Sequence, residues 1–285
     1  MSELTEKAAA KINLTLRVLG RRDDGYHELE SLVAFAALAD KLDLEPGADT
    51  VLEIIGPFAA ASGPVGDNLV LKAAAALRAR IDGLEAGRFV LEKNIPVAAG
   101  LGGGSADAGA ALRLLARLNG IMPDDPRLAS AALAVGADVP VCLAARARIM
   151  RGVGEVLSPP LALPQLAAVF ANPRVPLATR DVFARYAGDN GNNRFLHNVP
   201  GRPDALIGFL TEHGNDLTQA AIACAPVIGE VLIALRALPG VRLTRMAGSG
   251  PTCFALFPTP GEAEAGARRL QADRKDWWVK AATIG

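Results

Sequence analysis

Cysteine is scarce in this chain: Cys142, Cys224 and Cys253 are the only three in 285 residues, isolated and odd in number, with no Cys-x-x-Cys pair. A disulfide framework is thereby excluded, and buried reduced thiols are expected. Histidine is equally rare, and His27, His197 and His213 lack the spacing of zinc ligands, so no transition-metal site is expected. Net charge is missing as well. The 30 Lys and Arg residues balance the 30 Asp and Glu residues without a basic run, and a nucleic-acid partner is not expected. No uncharged apolar stretch reaches the roughly 20 residues that a membrane-spanning helix needs. The start, Met-Ser-Glu-Leu-Thr-Glu-Lys, lacks the apolar core of a signal peptide, so a soluble cytoplasmic protein with no membrane partner is expected. Neither an internal repeat nor a low-complexity tract is found.

Glycine and small apolar residues are plentiful. At 285 residues and 51% hydrophobic composition, the chain suits two domains of roughly 100–150 residues, each with its own core. The proline-rich stretch Ser158-Pro159-Pro160 to Pro164 is read as the boundary, giving residues 1–157 and 165–285.

Residues Pro96, Val97, Ala98, Ala99, Gly100, Leu101, Gly102, Gly103, Gly104, Ser105 and Ala106 place four glycines in five positions ahead of a helical pattern. Glycine lets the backbone approach a bulky anion, and the following helix, expected over 106–118, aims unpaired N–H groups and its positive dipole end at the same place. This is a phosphate cradle. Ser105 stands where an N-cap is expected, with a hydroxyl that a phosphate oxygen or Mg²⁺ can also use. The loop ends in Gly-Ser-Ala, so it is not a Walker A loop, and the third glycine of a Rossmann fingerprint is replaced by Ser105. His-Arg-Asp and Asp-Phe-Gly are missing too, which leaves an ATP site of another kind.

Strict alternation from Lys11 to Val18 predicts a half-buried strand, with Ile12, Leu14, Leu16 and Val18 on one face and Lys11, Asn13, Thr15 and Arg17 on the other. Asp23-Asp24-Gly25 predicts a turn, followed by an extended segment from Tyr26 to Leu38 and short strands over 41–44, 51–55 and 88–93. Asn68 opens a helix that ends by Gly83, and a helix over 127–135 stops at Gly136. The second half reads as a strand over 166–171, helices near 180–186, 203–210 and 226–237, strands over 241–246 and 252–257, a helix over 262–272 and a strand over 277–281. That order suggests a ferredoxin-like domain. Between the two late strands lies a second glycine-rich turn, Ala247-Gly248-Ser249-Gly250-Pro251-Thr252. It is a hairpin connection, or a backbone wall beside bound phosphates. Residues 189–193 are read as a mobile loop.

Lys11-Ile12-Asn13 on an N-terminal strand, the 96–106 loop before a helix, and Gly248-Ser249-Gly250-Pro251 between late strands occur in one order along nearly the whole chain. In this combination the chain resembles the GHMP kinases. Asp24-Gly25-Tyr26-His27, Gly136-Ala137-Asp138-Val139-Pro140 and Gly152-Val153-Gly154-Glu155 narrow the likeness to members that phosphorylate a cytidine diphosphate-linked polyol. The resemblance implies an α+β fold of two domains, with the active site in the cleft between them. The N-terminal one is similar to the second domain of ribosomal protein S5, and the C-terminal one is ferredoxin-like. It implies ATP as phosphoryl donor with Mg²⁺, and a monomer or homodimer. The loop carries Ala98-Ala99 where relatives often have glycine, and Ala247 where serine or threonine is usual.

The resemblance also distributes roles. Read from the residues alone, Asp138 is a turn or capping residue and Lys11 a solvated lysine on a strand face. By resemblance, Asp138 is the base that takes the proton of the attacking hydroxyl, and Lys11 orients that hydroxyl and helps neutralise the transferring phosphoryl group. Tyr26 and His27, otherwise turn-flanking residues, would read the cytosine, with Phe183 on the other side of the base. Asn13 would lie near the polyol hydroxyls. Asn68, a helix-start residue in its own right, would contact adenosine. Two alternatives stay open: a family member acting on homoserine, mevalonate or a sugar, and a nucleotide-binding regulator of the same fold without catalysis.

Overall fold

The computed structural model describes residues 4–188 and 196–285. The loop read over 189–193 lies outside the described residues. Two compact units form. The first comprises Met1–Lys11, Leu38–Val97 and Gly102–Arg146; the second comprises Ile12–Ala37, Ala98–Leu101 and Ala147–Gly285.

Strand β1 (Leu4–Asn13) pairs with β3 (His27–Gly47). In the first unit, the end of β3 lies antiparallel to β5 (Ala86–Glu92), and β5 is parallel to β4 (Val51–Ile55). Leu42, Leu44, Phe89 and Leu91 alternate inward from β3 and β5 and are fully buried, each worth about 1.5–3 kcal/mol against exposure. Helices α1 (Leu69–Arg78), α2 (Gly103–Leu118), α3 (Pro126–Val135) and α4 (Val139–Ala144) pack together in this unit. Asn68 caps α1, its side-chain oxygen accepting the Val70 N–H at 2.9 Å, a contact worth about 1 kcal/mol. Asp125 caps α3 in the same way, with Pro126 at the first helical position.

In the second unit, β2 (Arg17–Arg21) and β6 (Arg148–Gly152) lie antiparallel to the start of β3, and β7 (Val156–Leu157) pairs with β6. The remaining strands are β8 (Leu166–Asn172), β9 (Leu243–Met246), β10 (Cys253–Phe257) and β11 (Trp278–Ile284). They lie in the order β11, β8, β10, β9 with every neighbour antiparallel. Helices α5 (Thr179–Arg185), α6 (Pro203–Glu212), α7 (Thr218–Cys224) and α8 (Val227–Arg236) fall between β8 and β9, and α9 (Pro260–Asp273) between β10 and β11. Fourth, first, third, second is the ferredoxin-like arrangement expected from the sequence. Val169, Ala171, Val231, Leu235, Phe257 and Trp277 belong to its core.

Several local expectations are corrected. Residues 11–18 are not one half-buried strand: β1 begins at Leu4 and ends at Asn13, and Lys11, Asn13 and Thr15 are buried along with Ile12, Leu14 and Leu16. The polar face therefore turns into the protein rather than to solvent. The segments read over 26–38 and 41–44 are one strand, β3. Helix α2 starts at Gly103, so Ser105 is inside its first turn and Gly102 is the N-cap. Cys142 and Cys253 are buried, but Cys224 is only partly so.

Candidate active site

In the first unit, the alternation of β1 and the start of α4 meet. Asp138 occupies the N-cap position of α4 without capping it. Its carboxylate instead accepts the Lys11 Nζ proton at 2.7 Å, across 127 positions of sequence. The Lys11 side chain is 5% exposed and that of Asp138 37%, so the lysine is built in and the carboxylate faces outward. Lys11 also packs against the backbone of Gly102, where an added Cβ would lie 3.0 Å from the Lys11 Cβ. Nearby, burial pushes the Cys142 thiol up to about 12, which makes it unreactive at neutral pH.

Helix α2 opens on Gly102 with φ +60°, and its first turn closes through the Ala106 N–H donating to the Gly102 carbonyl at 2.8 Å. The N–H groups ahead of Ala106 are left without intrahelical partners, and the dipole adds positive potential there. Ser105 lies in this turn, partly exposed.

In the second unit the two glycine-rich turns meet, which the sequence alone left open. The Thr252 N–H donates to the Ala99 carbonyl at 3.2 Å. Gly100 packs onto the Ala247 and Gly250 backbone so closely that no side chain fits. The second turn is thus both a hairpin connection between β9 and β10 and a wall against the first. Asn215, which sequence reasoning did not single out, fixes that wall: its Nδ2 donates to the Met246 and Gly248 carbonyls at 2.9 and 2.8 Å. Asn13 is buried, its amide donating to Ser31 Oγ at 2.7 Å.

A cleft of about 750 Å³ in the second unit is lined by Arg21, Tyr26, His27, Thr179, Arg180 and Phe183, among others. That volume suits a nucleotide-sized ligand. The His27 ring stacks on Phe183 with centroids 5.0 Å apart and meets Tyr186 edge-on at 6.3 Å. A base does not fit between His27 and Phe183 at that separation, so the two form one aromatic platform rather than opposite walls. Tyr26 stands on the rim, 66% exposed. Desolvation, and then the Arg21 charge, lower the His27 pKa from its usual value. A neutral imidazole results at pH 7, able to donate from one nitrogen and accept at the other. The arginines and Tyr186 had no motif to mark them.

Comparison with known proteins bears on the fold and the family. The family model described as GHMP kinases N terminal domain matches residues 68–146, and that described as GHMP kinases C terminal matches 196–276. The chain belongs to the GHMP kinase family. It is 53% identical to 4-diphosphocytidyl-2-C-methyl-D-erythritol kinase of Bradyrhizobium diazoefficiens, over 100% of this chain and 99% of the relative. Among solved structures, a 4-(cytidine 5'-diphospho)-2C-methyl-D-erythritol kinase shares 35% identity with a TM-score of 0.77, covering 99% of both chains. A homoserine kinase from Cytophaga hutchinsonii matches with a TM-score of 0.69 at 18% identity, covering 100% of this chain and 95% of its own. At that identity the likeness shows the fold alone.

Proposed function

We infer that this protein is an ATP-dependent kinase for 4-diphosphocytidyl-2-C-methyl-D-erythritol, phosphorylating the C2 hydroxyl in the non-mevalonate route to isoprenoid precursors. The observation that carries the chemistry is the Lys11–Asp138 contact, a buried ammonium holding an outward-facing carboxylate that is spared from capping its helix. The full-length relatives supply the substrate.

Phosphoryl transfer needs positioned reactants and stabilised negative charge. In our reading Asp138 accepts the C2 hydroxyl proton as that oxygen bonds to the γ-phosphorus and the bond to the ADP oxygen breaks. Lys11 orients the hydroxyl and offsets the charge on the transferring group. Residues 96–106 hold the ATP phosphates through backbone N–H groups and the start of α2, and Asn68 contacts adenosine. Asn13 is assigned to the methylerythritol hydroxyls. The hydroxyl oxygen of Ser105 is of the kind Mg²⁺ takes. The ion, when bound with ATP, neutralises phosphate charge. Functionally, residues 1–157 carry ATP and the base, and 165–285 form the ferredoxin-like half. The same reading makes the enzyme cytoplasmic, as a monomer or homodimer.

A coupled ADP-release assay with MgATP tests this, offering the cytidyl substrate beside homoserine, mevalonate and galactose. ADP release on the cytidyl substrate alone is expected. Turnover of another alcohol would discard the substrate, and nucleotide binding without any turnover would favour the regulator reading.

We assign the cytosine to the cleft of Tyr26, His27 and Phe183. Removing one stacking contact with a base costs about 1–3 kcal/mol. His27→Ala is therefore expected to raise the KM for the cytidyl substrate about 5- to 150-fold and to change kcat much less. Steady-state kinetics in both substrates decides it, and a kcat loss at constant KM would give His27 a chemical role instead.

A further inference from the structure

A buried charged cluster lies behind the start of α2, and the proposed chemistry does not use it. Lys93, immediately after β5, is 4% exposed, and its Nζ donates to Asp40 Oδ2 at 2.5 Å and to Asp107 Oδ2 at 2.7 Å. Asp40 is fully buried and Asp107 nearly so. The other oxygen of Asp40 accepts the Asn94 and Ile95 N–H groups at 2.5 and 2.8 Å, and these two residues lead directly into Pro96. Asp107 sits on α2 just beyond Ser105, and among the described residues its buried Oδ1 has no hydrogen-bond partner. A Cβ added to Gly103 would lie 3.5 Å from Lys93 Nζ.

One ammonium therefore ties together the two ends of the glycine loop: the strand exit at 93–95 and the helix start at 103–107. Burial raises the Asp107 carboxyl above the usual carboxylate range despite the lysine, a sign of how strongly this place disfavours charge. Buried ion clusters are often no more stable than apolar residues of the same volume. Fold stability alone thus gives no reason for one here. Anion binding by backbone N–H groups does, because misplacing a binding group by about 1 Å can cost about 10²-fold.

We propose that Lys93, Asp40 and Asp107 are positioning residues for ATP, a clamp that holds both ends of the phosphate loop in register. The proposal rests on the reading of residues 96–106 as the ATP site and extends it to side chains that touch no substrate.

Asp107→Asn and Lys93→Met, made in the full chain, test it by steady-state kinetics and by calorimetric titration with a non-hydrolysable ATP analogue. The KM for MgATP and the dissociation constant of the analogue are expected to rise by about 10- to 100-fold. The KM for the cytidyl substrate should stay within about twofold and kcat should fall less than ATP affinity does. Wild-type ATP affinity in folded variants, or equal rises in both KM values, overturns the proposal. If the single variants do not fold, Lys93→Met combined with Asp107→Leu removes both charges and leaves Asp40 its two amide donors. That variant, folded and binding the analogue normally, overturns the proposal; folded with weakened binding, it upholds it. Wild-type protein that binds the analogue but phosphorylates no alcohol sinks the activity while leaving the clamp standing. Wild-type protein that fails to bind the analogue overturns both.

Discussion

Asp138→Asn is expected to lower kcat by about 10²- to 10⁴-fold, the usual contribution of a positioned general base, with little change in thermal stability. The expectation follows from where the carboxylate stands. Its side chain is 37% exposed, so removing its charge leaves no buried hole. It makes no capping bond to α4, so the helix loses no support. Among the described residues its carboxylate bonds to Lys11 Nζ, the other member of the proposed pair. Lys11→Ala is expected to cost turnover on a similar scale, with a larger effect on stability. The lysine is 5% exposed and packs against Gly102, and its removal opens a space beneath the loop. Because the two act as a unit, the double variant should lose little more than either single one. Single-turnover phosphorylation and thermal melts on all three proteins measure this. Near-normal turnover in both Lys11→Ala and Asp138→Asn would end the assignment, and additive losses would separate the two residues into independent roles.

How much of this was legible in the sequence depends on the range of the interaction. Local signals read well: β4 spans the expected residues, Asn68 caps α1, and Gly136 follows the last residue of α3. The four late strands follow the expected order, because short apolar runs separated by turns and one helix leave few topologies. The half-buried reading of residues 11–18 failed for a reason periodicity cannot see. Alternation assumes that a polar face meets water, whereas Lys11 and Asn13 turn toward Asp138 and Ser31. The start of α2 was displaced because its glycines score poorly as helix formers, although Gly103 and Gly104 lie within it. Strand β6 and helix α4 were missed as short elements with weak periodicity. The Lys93 cluster joins residues 53 and 14 positions apart, and no local pattern marks such a meeting. The contact between the two glycine turns was equally invisible, since it depends on how distant strands register.

That contact carries the second large effect. Gly100→Ala is expected to raise the KM for ATP about 10²-fold and to lower the melting temperature, while Ala98→Gly, two positions earlier, does the opposite to stability. Gly100 sits at φ +73°, where an L side chain is strained, and its Cβ would stand 2.5 Å from the Ala247 carbonyl oxygen and 2.6 Å from that of Gly250. Both obstacles are backbone, so neither can rotate away; the two turns must separate or the loop must refold. A left-handed non-glycine residue alone costs about 1–3 kcal/mol, before any clash is counted. Ala98 already bears that kind of strain, with φ +53°, so replacing it with glycine relieves what the Gly100 substitution imposes. Thermal melts paired with ATP titrations of both variants give the comparison. Unchanged ATP affinity in Gly100→Ala would mean that the wall formed by residues 247–251 does not shape the phosphate site. Opposite signs at two positions of one short loop would instead trace the nucleotide effect to backbone geometry, because neither substitution adds or removes a charge or a side-chain hydrogen-bonding group.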